Sequence, residues 1–352
     1  MRRRIVSAAA VTAVAALSAL ALAGCVGGSG AAASGSPAGS GSSASAGAYR
    51  PVTVTSCGID LRFTAPPKRA VTIQQGATEI MLSLGLEHQM AGTSNLIGEI
   101  PKNLAAAYAS VPVLSASVVD SQEALLKENP DFVYSTYGSQ FTGDQLGTRE
   151  ELESLGVPAY LSNTDCQNSA VKPKSATFDQ LFQQYRDIAD VFGVPDRAEA
   201  LIRTQQKIVD EAKQTGAKVH GDPTVLWFYS TYNGTPYVAG GTGIPTNIDE
   251  LTGTRNVFAN VHENWPEVSW EAIAKADPDI IVLADLSERG KPGDSAADKL
   301  KMLESDPATK DLTAVKNHHL ITVSGVPLDP SSRTVDSLTD FLAGLRALGY
   351  VS

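Results

Sequence analysis

The chain has 352 residues, 28 basic and 38 acidic side chains and a net charge of −10, with 43% hydrophobic residues and only three cysteines. An acidic surface of this kind excludes nucleic acid and peripheral docking on anionic lipid as general modes of action. The length is enough for two lobes of ordinary domain size.

Residues 1–24 read as a leader: Arg2, Arg3 and Arg4, an Ala/Val/Leu-rich run, then Leu22-Ala23-Gly24-Cys25. A transmembrane anchor is the alternative, but the run is Ala-rich and a polar Gly/Ser-rich tail follows. The small residues before Cys25 resemble a bacterial lipobox, which predicts lipidation of Cys25 and attachment to the extracytoplasmic face of the cell membrane. Residues 25–48 are then a Gly/Ala/Ser tether, too poor in apolar side chains to fold. Cys57 and Cys166 remain, and in an extracytoplasmic chain they are expected to form a disulfide, with two buried free thiols as the alternative.

From residue 49 the pattern is regular. Val52–Ser56 and Ile59–Phe63 alternate about Cys57-Gly58 and predict a hairpin; Ala70–Ile73 predicts a buried strand, Gln74-Gln75-Gly76 a polar loop, and Thr78–Leu84 a helix. Short strands follow near Gln89–Gly92 and Val111–Leu114, then a helix from Glu123 and a strand at Phe132–Ser135. Glu150–Leu155 reads as a helix and Ala159–Leu161 as a strand. Phe178–Phe192 predicts a helix, and Asp196–Gly216 a second, with Pro195 as start signal, Gly216 as stop and apolar residues at helical spacing between. Beyond it Val225–Tyr229 opens a second series: helices near Asn247–Thr252 and Ser269–Ala276, strands at Ile280–Leu283 and Leu320–Val323, and a closing helix Thr334–Leu348.

One peptide occurs twice. Glu123-Ala124-Leu125-Leu126-Lys127-Glu128-Asn129-Pro130-Asp131-Phe132-Val133-Tyr134 matches in register Glu271-Ala272-Ile273-Ala274-Lys275-Ala276-Asp277-Pro278-Asp279-Ile280-Ile281-Val282. Each copy predicts a short helix, a Pro-Asp turn and an apolar strand. Alternating strands and helices imply α/β architecture with mostly parallel sheets, arranged as two Rossmann-like lobes. The expected division is an N-terminal lobe over 49–174, a helical spacer over 175–216 containing a backbone helix at 196–216, and a C-terminal lobe over 217–352.

No Ser or Cys lies in a nucleophile-elbow pattern, and the five histidines include no helix-spaced pair, so no catalytic residue, protein-built metal site or resident cofactor is expected. Gly240-Gly241-Thr242-Gly243 lacks the Lys-Ser/Thr ending of a phosphate loop and reads as a turn. In open α/β sheets ligands bind beyond the carboxyl ends of strands, which makes Gln74, Gln75, Tyr137, Tyr232 and Trp265 the ligand candidates. Arg333, before the last helix, is a further donor candidate and Arg149 a weaker one, while Trp227 and Tyr229 fit strand core as well as a site. Glu123 and Glu271 hold one register at the starts of equivalent helices. The helix dipole explains each singly, whereas two such acids would make a symmetric docking pair.

Pro67-Lys68-Arg69-Ala70-Val71-Thr72-Ile73, Ala77-Thr78-Glu79-Ile80, Leu84-Gly85-Leu86 and the two Pro-Asp repeats resemble the class III, helical-backbone substrate-binding proteins of ABC importers, over about Thr53 to Leu348. The resemblance implies two lobes joined by one long helix, ligand in the cleft between them, and delivery to a permease dimer driven by a cytoplasmic ATPase. It implies that Glu123 and Glu271 dock on permease arginines, with Glu79 as a third acid. A preformed metal chelate or corrinoid is the implied ligand class: an iron-siderophore of hydroxamate type first, then cobalamin, haem or a deazaflavin precursor. The protein is expected to act as a monomer. A surface enzyme or adhesin on the same fold is the competing class of function.

Overall fold

A computed structural model describes residues 49–117, 119, 121–166, 170–171 and 174–351. The leader, Cys25 and the tether lie outside the described residues. The N-terminal half contains β1 (Val52–Ser56), β2 (Ile59–Phe63), β3 (Ala70–Ile73), α1 (Gln75–Ser83), β4 (Met90–Ser94), α2 (Ala105–Tyr108), β5 (Val113–Ser115), α3 (Gln122–Lys127), β6 (Phe132–Ser135), α4 (Arg149–Ser154) and β7 (Ala159–Leu161). Two helices follow, α5 (Phe178–Val191) and α6 (Pro195–Gly216). The C-terminal half contains β8 (Thr224–Tyr232), β9 (Thr235–Val238), α7 (Ile244–Thr252), β10 (Arg255–Asn256), α8 (Trp270–Ala276), β11 (Ile280–Asp285), α9 (Ala296–Ser305), α10 (Thr313–Lys316), β12 (Leu320–Ser324) and α11 (Thr334–Ala347).

The first half forms a parallel five-stranded sheet in the order β5-β4-β3-β6-β7, the second a sheet in the order β10-β8-β11-β12 with β9 antiparallel to β8. β3 and β6 are buried at every residue, as a sheet covered on both faces requires. The repeat is physical. Ser121 and Ser269 cap α3 and α8 by accepting the N–H of Ala124 and Ala272, and Asn129 and Asp277 end the two helices at φ 49° and 37°. Asp131 then accepts the N–H groups of Lys68 and Arg69 ahead of β3, while Asp279 accepts the N–H and hydroxyl of Thr224 at the start of β8. Each Pro-Asp turn thus pins its strand beside the strand that opens its own half.

Pro195 starts α6 where a missing N–H costs nothing, and its 22 residues span about 33 Å. Its buried face, Ala198, Ile202, Gln205, Val209 and Ala212, packs against α5, α7 and α11. A single apolar core runs through this region from Tyr134 and Tyr185 to Trp227 and Phe341. At the other end of the first sheet, Cys57 and Cys166 are bonded, with S–S 2.11 Å and Cα–Cα 5.2 Å. Arg149 is buried beneath this hairpin and donates to Ala159 O, Ser56 O and Ser56 Oγ, so it staples β2's hairpin to β7 and is not a ligand donor.

Three local expectations are corrected. Gln75 and Gly76 belong to the first turn of α1, so the loop after β3 shrinks to Gln74. β8 runs three residues past Tyr229 and folds back into β9 through Asn233-Gly234, both at positive φ as a two-residue hairpin demands. α9 stands where no element was predicted, started by a Ser295 cap.

Candidate functional site

The carboxyl ends of β3, β4 and β6 face those of β8, β11 and β12 across a cleft of about 220 Å³, lined among others by Gln74, Asn95, Tyr137, Tyr229, Arg289 and Asp329. A second cavity of about 480 Å³ adjoins it, sharing Asn95, Ile97 and Arg289 and reaching Glu288 and Lys291. This is where an open α/β sheet presents loops rather than core.

Gln74 takes φ 79°, ψ 153°, a region that L side chains seldom occupy and that costs on the order of 1–3 kcal/mol. Its N–H donates to Ser94 O at 2.9 Å, and its Oε1 accepts the hydroxyls of Ser135 and Thr136, each at 3.1 Å. The side-chain carbonyl is therefore spent on the sheet, and the amide Nε2 is left on the cleft wall. Gly76 follows because a Cβ there would lie 2.3 Å from Pro330 O, a carbonyl of the opposite half.

Opposite Gln74, Asp329 accepts the hydroxyls of Tyr137 and, at 3.1 Å, of Tyr229. Burial pushes its carboxyl above the usual range, and the two phenols oppose that shift. Tyr229 stacks on Trp265 with centroids 4.1 Å apart and rings 20° from parallel. Its other side faces Arg289, whose guanidinium carbon lies 5.9 Å from the ring centre. Asp294, almost fully buried, receives Arg289 Nε and Nη2 at 2.8 Å each, and Ser230 Oγ accepts Nη2 at 3.0 Å. Burial would lower the guanidinium's proton affinity, but Asp294, Tyr229 and Asp329 together outweigh it and raise the pKa.

The family profile described as periplasmic binding protein matches residues 71–326. The chain belongs to the periplasmic binding protein family. It is 28% identical to a periplasmic binding protein of known structure from Veillonella parvula, with a TM-score of 0.72 over 84% of this chain and 98% of that one. An ABC-type Fe3+-hydroxamate transport system structure from Saccharomonospora viridis is 25% identical, with a TM-score of 0.69 over 85% and 99%. Among curated sequences, a vitamin B12-binding protein of Vibrio campbellii is 22% identical over 276 residues, 78% of this chain and 88% of its own.

In this periplasmic binding protein the structure brings Gln74, Gln75 and Tyr137 to the cleft. Gln75, however, uses its whole amide on the protein: Nε2 donates to Glu79 and Glu99 O, and Oε1 accepts the N–H groups of Ile97 and Gly98. It holds the 95–99 wall in place. Trp265 sits behind Tyr229 as a stacking partner, not on the wall. Tyr232, the last residue of β8, is 65% exposed and away from the cleft. Arg333 is spent on a two-pronged ion pair with Glu79, at 3.0 and 2.7 Å, and does not line the cleft. Glu79 is fully buried in that pair, which removes it as a docking acid. Glu123 and Glu271 are exposed in the first turns of α3 and α8.

Sequence reasoning missed Arg289 and Asp329 and left Tyr229 undecided. The usable signal was the repeat itself: Arg289 lies in the loop after β11, which corresponds in register to the loop after β6 that carries Tyr137.

Proposed function

We propose that this periplasmic binding protein is the lipid-anchored, extracytoplasmic capture component of an ABC importer, and that its cleft takes an iron-siderophore chelate of the hydroxamate class. The cleft's chemistry carries this reading: it offers the Gln74 amide, the Tyr137 ring and the Arg289 guanidinium, a set suited to the oxygen-rich surface and apolar flanks of a preformed chelate. Among the described residues no three His, Cys, Asp or Glu side chains come together to hold a metal ion. A ligand that brings its own chelating groups fits such a wall. Likeness to the Fe3+-hydroxamate system structure supports the choice.

A corrinoid is the second reading, favoured by the vitamin B12-binding relative. In either case Glu123 and Glu271 serve as the docking acids for a permease dimer. The lobes, 49–174 and 217–352, close over the ligand about the spacer 175–216, and the unbroken α6 keeps that closure small.

The test is a titration of the mature protein, followed by tryptophan fluorescence and thermal unfolding, with a ferric trihydroxamate, cyanocobalamin and haemin. Saturable quenching and a raised Tm with the trihydroxamate are expected. A response to cyanocobalamin alone moves the assignment to corrinoids, and silence with all three overturns the ligand class.

A further inference from the structure

Two side-chain contacts that join the halves are sheltered: Arg333 grips fully buried Glu79, and Tyr137 donates to buried Asp329. A third lies at the surface. The Glu288 carboxylate, from the loop after β11, accepts the backbone N–H of Glu99 at 2.6 Å, and both residues are exposed. Water can compete directly for this bond, so it is the one that breaks most readily.

Each partner is held in place by its own half. On the N-terminal side Gln75 Oε1 accepts the N–H groups of Ile97 and Gly98 at 3.0 and 2.8 Å, and Gln75 Nε2 donates to Glu99 O at 3.2 Å. The Glu99 N–H, next in the row, goes to the opposite half. On the C-terminal side Glu288 rides a closed turn above fully buried Leu286. Ser287 N–H donates to Asp285 Oδ1 at 2.9 Å, Arg289 N–H to Leu286 O at 2.9 Å and Gly290 N–H to Ser287 O at 3.0 Å. The fit is close. A Cβ at Gly98 would lie 2.4 Å from Glu288 Oε2 and 2.9 Å from Val326 Cγ2, both atoms of the opposite half, so glycine is what lets the carboxylate reach its donor. Ile97 and Arg289, which flank this contact on either side, line both the inner and the adjoining cavity, whereas Gly98, Glu99 and Glu288 line the adjoining one.

We infer that Glu288 and the Gly98-Glu99 backbone form a clasp that holds the cleft shut where its two cavities meet, and that this clasp opens for ligand to exchange. Preorganisation on both sides keeps the cost of closing small, and exposure leaves the bond weak enough to open. The role in exchange rests on the reading of the cleft as the ligand site. The clasp itself is tested without ligand.

Glu288→Ala and Gly98→Ala, made in opposite halves, should share one phenotype. In hydrogen exchange of the ligand-free mature protein, each should speed the Glu99 amide at least about tenfold, while the Ile97 amide, held by Gln75, changes less than about twofold. Spin labels at Lys102→Cys and Lys291→Cys then report the gap between the halves. They are introduced with Cys25→Ser, because Cys57 and Cys166 are bonded and no other thiol remains. Both variants should lengthen or broaden the distance distribution. Glu99→Gln, which removes one rim charge and keeps the donor N–H, should do neither. A ferric linear trihydroxamate should leave both variants at least about threefold faster than wild type. An unchanged Glu99 amide in both variants overturns the clasp, and so does a faster amide with unchanged label distances, which would make Glu288 a local brace. The same response in Glu99→Gln would trace the effect to rim charge and overturn it too. Widened distances with an unaltered release rate for a chelate that binds overturn the role in exchange. A chelate that does not bind counts against the hydroxamate reading, and the amide and the label distances then decide the clasp by themselves.

Discussion

Tyr137 donates its hydroxyl to Asp329 across the cleft, tying the loop after β6 to the segment that follows β12. The same carboxyl takes Tyr229 from its own half, so one buried acid joins both walls. Removing either phenol leaves a lone pair of a buried carboxyl without its donor, at a cost of about 1–3 kcal/mol. Tyr137→Phe and Tyr229→Phe should each lower the free energy of urea unfolding by that much. Because both act on Asp329, their effects should not add in the double variant. Strict additivity would show that the two contacts are independent and that Asp329 is not the shared element.

A second buried acid sets a pH dependence. Asp249 on α7 accepts Trp227 Nε1 at 2.9 Å and Thr254 Oγ1 at 2.6 Å, and burial pushes its carboxyl up to about 7. Between the unfolded value of 3.8 and this raised value the folded protein binds the extra proton. Its stabilising contribution is therefore complete below pH 3.8 and is lost as pH rises toward and through 7. Asp249→Asn, which can still accept from Trp227 while giving its amide to Thr254, should flatten the decline between about pH 4 and 7. An unchanged Tm profile across that range would place the titration elsewhere; Asp329, also raised by burial, acts in the same direction.

How far the fold was legible follows from which forces are local. β3, the hairpin and the paired Pro-Asp turns were read because apolar β-branched runs and their turn residues announce themselves within a few positions. α6 was read from its spacing and its Pro and Gly ends. α9 was not, because its buried face is thin, with Ala296, Lys299 and Leu303 spread along a charged helix. Gln75 and Arg333 were polar residues near strand and helix ends, which is what a ligand contact looks like in sequence. Only the three-dimensional arrangement shows that Glu79, 254 positions from Arg333, has taken its guanidinium. Arg289 was passed over: its short loop holds Glu288 and Lys291 as well, and nothing local sets one charged residue of such a loop apart from the others.

The Glu79–Arg333 pair gives a third prediction. It is buried, and Glu79 Oε1 also receives Gln75, so the pair braces α1 of one half against the start of α11 in the other. Arg333→Met alone strands a fully buried carboxylate and should cost about 3–5 kcal/mol. Glu79→Gln together with Arg333→Met should recover most of that loss. Ligand affinity of the folded variants should change little. A large loss of affinity with stability intact would return Arg333 to the ligand.

The docking assignment leads to the last prediction. Glu123 and Glu271 stand two residues past equivalent Ser caps, exposed, in the first turns of α3 and α8. Their contribution to stability through the helix dipole is a few tenths of a kcal/mol each, so charge reversal should leave the fold intact. If they meet cationic partners on a permease dimer, Glu123→Lys and Glu271→Lys should each depress uptake, and the double variant should reduce it by more than either. Ligand affinity in solution should stay within about twofold, because neither residue lines the cleft. Lys127→Glu, at the other end of α3, serves as the control for charge change on the same helix and should leave uptake unaltered. Normal uptake in the double variant would remove both acids from the docking surface, while equal losses in all variants including Lys127→Glu would point to net charge and not to a paired contact.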